Sequence, residues 1–136
     1  MKKNKFRILC LLLVLSLLTS KVSAGDMLQP RYIKITRFDC NLAISANGYA
    51  QCLSEVRLSD SSHTVELTME LQRSCDGNSW DTVKSWDISA EKGVSLEKGW
   101  YVSSGYSYRV YSTADIYSSY GTLVESEPAN SMTIDY

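Results

Sequence analysis

Between residues 64 and 72 the chain alternates without a fault. Val65, Leu67, Met69 and Leu71 are apolar, and Thr64, Glu66, Thr68, Glu70 and Gln72 between them are polar. A period of two gives an extended strand one dry face and one wet face. This run therefore commits the chain to a sheet that is buried on one side.

The same pattern recurs along the sequence. Phe38, Cys40, Leu42 and Ile44 alternate with polar or small residues up to Asn47-Gly48, a hairpin signal. Beyond it Ala50, Cys52, Ser54, Val56 and Leu58 alternate against Gln51, Glu55 and Arg57. A turn at Asp76-Gly77 leads into Trp80–Ile88. There Trp80, Trp86 and Ile88 share one parity and Val83 takes the other, which a bulge would reconcile. Val94, Leu96, Trp100 and Val102 follow Gly93. Tyr106, Tyr108, Val110, Ala114 and Ile116 follow Gly105. After Tyr120-Gly121 the chain returns through Leu123–Tyr136, broken by Pro128. No window sustains a 3.6 period. About seven short strands with frequent turns predict an all-β, antiparallel two-sheet sandwich.

The first 24 residues read as an export signal. Met1–Arg7 is positive, Ile8–Leu18 is an apolar run of 11 residues, and Val22-Ser23-Ala24 offers small residues for cleavage after Ala24. Eleven residues fall short of the about 20 that span a bilayer. Cys10 lacks the small residues expected before a lipidated cysteine, and Met132–Tyr136 has no apolar tail. The expectation is a secreted single domain over residues 25–136, with 25–31 as a loose leader and no membrane association after cleavage.

Cleavage changes the charge. The full chain has 14 basic and 15 acidic residues, and Lys2, Lys3, Lys5, Arg7 and Lys21 leave with the signal. Nine basic residues then face 15 acidic ones, a net charge of −6. Nucleic-acid binding needs clustered Lys and Arg to displace counterions. The scattered basic residues here argue against it.

Cys40, Cys52 and Cys75 survive cleavage, an odd count for a secreted chain. If Ile44 faces Ala50 across the hairpin, Leu42 faces Cys52 and Cys40 lies diagonal to it. A one-step register change would bring the two sulfurs opposite each other. Three outcomes stay open: a Cys40–Cys52 disulfide, a pair involving Cys75, or no disulfide. Cys75, in the Cys75–Asn78 turn, is the candidate exposed thiol.

Catalytic and metal signatures are missing from the pattern. His63 is the one histidine, in the polar loop Asp60-Ser61-Ser62-His63. Three triad residue types within four positions of a loop do not make a nucleophile, base and orienting acid. Asp76–Asp81 matches a calcium loop poorly, with Trp80 at its fifth position and no Glu at its twelfth. No enzyme activity, metal or cofactor is expected.

The surplus is aromatic: nine Tyr, three Trp and one Phe beyond residue 24. Tyr106, Tyr108, Trp80 and Trp86 fall on the apolar parity and read as core. Tyr111 and Tyr117 fall on the polar parity, and Trp100-Tyr101 sits near a strand end. Trp100, Tyr101, Tyr111 and Tyr117 are the candidate ligand-stacking residues. The first functional expectation is a non-catalytic secreted interaction or adhesion domain with a protein partner. The alternative is a carbohydrate- or cell-wall-binding module.

Leu71-Gln72-Arg73-Ser74, followed by Asp76-Gly77 and Trp80, resembles the third strand and turn of fibronectin type III and related immunoglobulin-like modules. Tyr106-Ser107-Tyr108-Arg109-Val110 resembles the strand that those families enter through a tyrosine corner. The resemblance implies that Tyr106 carries the corner, its hydroxyl bonded back to the preceding loop. Residues 30–136, from Pro30-Arg31-Tyr32 to the final strand, also resemble small single-domain secreted proteins of Gram-positive bacteria with no assigned function. The chain departs from the immunoglobulin pattern in lacking the Cys…Trp…Cys spacing.

Overall fold

The computed structural model describes residues 33–136. The expected export signal, its cleavage after Ala24 and the leader to Arg31 lie outside the described residues.

The Asn47-Gly48 signal makes a three-residue hairpin loop. Gly48 takes φ +81°, and its amide donates to Ser45 O at 2.9 Å. The loop joins β1 (Ile35–Ile44) to β2 (Tyr49–Leu58) and fixes their register, Ile44 opposite Ala50 and Leu42 opposite Cys52. β3 (Thr64–Ser74), β4 (Asp81–Glu91), β5 (Gly93–Tyr101), β6 (Ser107–Tyr117), β7 (Leu123–Asn130) and a short β8 (Ile134–Asp135) follow. They form two antiparallel sheets, β1-β2-β5 and β4-β3-β6-β7, with β8 also paired to β6. The fold is an all-β sandwich.

β7 and β8 are one returning strand along β6, interrupted near its end. There the Ser131 amide donates to Val110 O, while Ser131 Oγ accepts the Val110 amide in place of a backbone carbonyl. The bulge sought on β4 is at Val83. Lys84 pairs with Leu71 and Thr82 with Gln72, which leaves Val83 unmatched.

The inner faces of both sheets make the core. Val65, Leu67, Met69 and Leu71 of β3 meet Val110, Ala114 and Ile116 of β6 on one side and Ala50, Cys52, Val56, Val94 and Leu96 on the other. The passage from β4 to β5 takes Lys92 and Gly93, both at positive φ (67° and 145°). A Cβ on Gly93 would stand 2.5 Å from Val56 O, so the crossing requires glycine there.

Both ends of the described chain are tied down. Glu125 is buried, and its carboxylate accepts the amides of Ile33 (2.9 Å) and Lys34 (2.7 Å). Tyr136 O accepts the amides of Gly105 and Tyr106, and the Tyr136 hydroxyl donates to Ala46 O at 3.1 Å.

The three cysteines among the described residues are free. Cys40 pairs with Ser54, and its sulfur lies 3.5 Å from Ser54 Oγ. Cys40 and Cys52 are thus diagonal neighbours, typically about 7–8 Å apart across a sheet. That is beyond the usual Cα span of a disulfide. The candidate Cys40–Cys52 bridge is therefore not formed. Burial without a charged partner pushes the Cys52 thiol up to about 12.

Candidate functional site

The four candidate stacking residues fall on three different surfaces. Trp100 pairs with buried Ala50 and so points to the core side, but it lies at the open margin of the sandwich. There it is 42% exposed, with Lys84 Nζ 4.7 Å from its ring centroid. That contact joins the edge strands β4 and β5 of the two sheets. Tyr101 points the other way, onto the outer face of the three-stranded sheet, where its ring meets Tyr49 edge-on at 5.1 Å. Tyr49 reaches across the bare backbone of Gly99, whose Cβ would stand 1.8 Å from the Tyr49 hydroxyl. Tyr111 and Tyr117 are both on the outer face of the five-stranded sheet. Six residues of strand separate them, or about 20 Å. The four do not make one stacking platform.

The tyrosine corner belongs to Tyr108, not Tyr106. The Tyr108 hydroxyl donates to Ser103 O at 2.6 Å, five residues back, and its side chain is fully buried. Tyr106 is half-buried beside it, with its ring edge-on to Tyr108 and Arg73 Cζ 4.8 Å from the ring centroid. Both residues have the parity of the core. Only Tyr108 lies under the β5–β6 loop, where a hydroxyl meets the loop carbonyl.

The outer face of β4-β3-β6-β7 gathers most of the unusual chemistry. Cross-strand pairing sets its residues in rows. Gln72 lies beside Arg109, Glu70 beside Tyr111, Glu66 beside Asp115, and Thr64 between Glu91 and Tyr117. Glu66, Glu70, Asp87, Asp115 and Glu91 share this face with Arg109. None of these six makes an ion pair among the described residues. Asp87 accepts instead from Thr68 Oγ1 (2.9 Å), and Asp115 from Ser126 Oγ (2.5 Å).

Trp80 is not in the core. It follows the Asp76 turn, just ahead of β4, and turns back over the outer face. There Arg109 Cζ lies 4.2 Å from the Trp80 ring centroid and 5.5 Å from that of Tyr111. Arg109 Nε donates to Gln72 Oε1 at 2.9 Å, and Gln72 Nε2 donates to Glu70 at 2.8 Å. Covered by this stack, Gln72 is only 8% exposed. The sequence signal was the position of Trp80 after a turn rather than within a strand, which frees it from strand parity.

At the far end of the face, Tyr117 borders a shallow depression of about 500 Å³ with Glu66, Glu91, Thr64 and Ser62. Partial desolvation and the charges of Glu66 and Asp115 push the Tyr117 phenol up.

Two loop clusters resolve as local capping. Asp76 Oδ1 accepts the amides of Ser79 and Asn78 and the Ser74 hydroxyl, contacts that hold its carboxyl below the usual range. In the other loop, Ser62 Oγ (3.2 Å) and Asp60 Oδ2 (3.5 Å) both meet the same nitrogen of His63, Nδ1. A triad needs acid and nucleophile on opposite ring nitrogens. Asp60 also takes the Ser62 amide at 2.9 Å, which with the Ser62 hydroxyl lowers its pKa.

The chain matches no protein-family model, and no curated protein is similar enough to count as a relative.

Proposed function

We propose that this chain is an exported, non-catalytic interaction domain that engages a protein partner through the outer face of β4-β3-β6-β7. The observation that carries this reading is the Trp80–Arg109–Tyr111 stack, which presents two aromatic rings and a guanidinium on one sheet face. Aromatic residues and Arg dominate the energetic centres of protein interfaces, because they bring large area at low entropic cost. The partition β1-β2-β5 against β4-β3-β6-β7 supports a fibronectin type III-like module. The succession of charge, apolar run and small residues over 1–24 supports export.

The test is cross-linking of the exported protein on the producing cells. A discrete protein adduct that is lost in Tyr111→Ala and kept in Tyr101→Ala is the expected result. No adduct, or one indifferent to Tyr111→Ala, overturns the proposal.

The depression beside Tyr117 favours a second reading, a carbohydrate- or cell-wall-binding module. Its aromatic ring, two carboxylates and hydroxyls match the mixed apolar and polar edges of a sugar. Retention on purified cell wall or insoluble polysaccharide, abolished by Tyr117→Ala, would bring this reading forward.

A further inference from the structure

A guanidinium presents five N–H donors in one plane. In Arg109 one of them, at Nε, is committed to Gln72 Oε1. The Gln72 amide is held in turn by its own bond to Glu70, which fixes the end that faces Arg109. Gln72 is more than nine-tenths buried, so this support is rigid. The Trp80 and Tyr111 rings restrict the guanidinium further. Among the described residues, no hydrogen bond or ion pair engages the two terminal nitrogens. The side chain itself is half-buried and reachable from solvent. Arg109 is therefore a fork already oriented, with its prongs unmatched.

We propose that the terminal nitrogens of Arg109 form a binding site for a single carboxylate, that of a Glu or Asp side chain on a protein partner. A carboxylate offers two coplanar oxygens and meets a guanidinium through two parallel hydrogen bonds. The rest of the face selects among anions. Glu70 stands one cross-strand pair from Arg109 and Asp87 the pair beyond, both without an ion pair among the described residues, so repulsion grows with the charge of the ligand. A monovalent carboxylate is tolerated better than phosphate, which carries about −1.5 to −2 as a monoester at neutral pH. Because the guanidinium is ordered before binding, little side-chain entropy is lost on contact. That the carboxylate belongs to a protein rests on the reading of this face given above. The carboxylate site itself rests on Arg109, Gln72 and the two rings.

The experiment is an NMR titration of the folded domain with acetyl-Gly-Glu-Gly-amide. Acetyl-Gly-Gln-Gly-amide at matched salt and inorganic phosphate are the comparison probes. The Glu peptide should shift the Arg109 Nε–H and Trp80 Nε1–H signals saturably, in the millimolar range. The Gln peptide should leave them unmoved, and phosphate should shift them less at equal concentration. Arg109→Lys keeps the charge and removes the fork, and should weaken the Glu peptide roughly tenfold. Equal responses to Glu and Gln peptides, a stronger response to phosphate, or an Arg109→Lys protein that binds the Glu peptide unchanged would each overturn the proposal. If the peptide binds at Arg109 while the cellular adduct ignores Tyr111→Ala, the carboxylate site stands and the proposed function falls.

Discussion

Tyr108→Phe isolates one hydrogen bond. The ring keeps its buried position and its edge-on contact with Tyr106, and the change removes the hydroxyl that donates to Ser103 O at 2.6 Å. Deleting such a bond costs about 1 kcal/mol, and up to about 3 when the abandoned partner stays dry. Ser103 is exposed, so water can reach its carbonyl and the lower figure applies. For a domain of this size about 1 kcal/mol corresponds to a fall in Tm of about 4–8 °C. Tyr106→Phe, whose hydroxyl makes no hydrogen bond among the described residues, should change stability by less than about 0.5 kcal/mol. Denaturant melts of the three proteins at neutral pH make the comparison. The pH dependence gives a second check. Burial pushes the Tyr108 phenol above its ordinary value. A group whose folded pKa is raised contributes fully below its unfolded pKa, about 10 for tyrosine, and loses that contribution as pH rises through the folded value. The gap between wild type and Tyr108→Phe should therefore narrow in alkaline solution. If Tyr106→Phe cost as much as Tyr108→Phe, or if the gap widened above pH 10, the assignment of the corner to Tyr108 would fail.

Three further outcomes follow from the geometry. Gly93→Ala should destabilise by about 1–3 kcal/mol, because its Cβ meets Val56 O and its φ of 145° is strained for alanine; unchanged melting would refute the tight crossing. Glu125→Gln leaves one oxygen acceptor where two amides now bind, and should cost about 1.5–3 kcal/mol. Hydrogen exchange at Ile33 and Lys34 should speed up with it, and protection equal to wild type would count against the clamp. In timed alkylation of the native protein Cys75 should react first, half-buried Cys40 slowly, and Cys52 only on unfolding; a disulfide seen by non-reducing mass analysis would contradict three free thiols.

Local rules carried the strand pattern. Alternation sets the face of each residue within a strand, so the inward sets of β2, β3 and β6 could be read directly from the sequence. The hairpin at Asn47-Gly48 set the β1–β2 register, and with it the diagonal placement of Cys40 and Cys52. The bulge at Val83 followed from a parity conflict between neighbouring side chains. The candidate site was less legible because it depends on which strands share a sheet. Alternation cannot tell that Trp100 stands at the margin between sheets, or that Tyr101 and Tyr111 face opposite ways out of the sandwich. It cannot separate Tyr106 from Tyr108, which share a parity, since the choice depends on where the β5–β6 loop passes. Trp80 lies outside any strand, so parity did not govern it, and its stack with Arg109 was invisible until the turn had a shape.

The ties at the two ends of the described chain bear on when the domain can fold. Ile33 and Lys34 meet Glu125 across 92 and 91 residues, and Tyr136 meets Ala46 across 90. The central strand β6, which lies between β3 and β7, comes late in synthesis. A nascent chain that has reached Gly105 owns the β1-β2-β5 sheet but has nothing to cover its inner face except β3 and β4. Its apolar strands stay unsealed until β6 and β7 have been made. Such dominance of distant contacts slows folding. Fragments that stop short of β6 should therefore fail to fold on their own, since β3 would lack one of its two neighbours in the sheet.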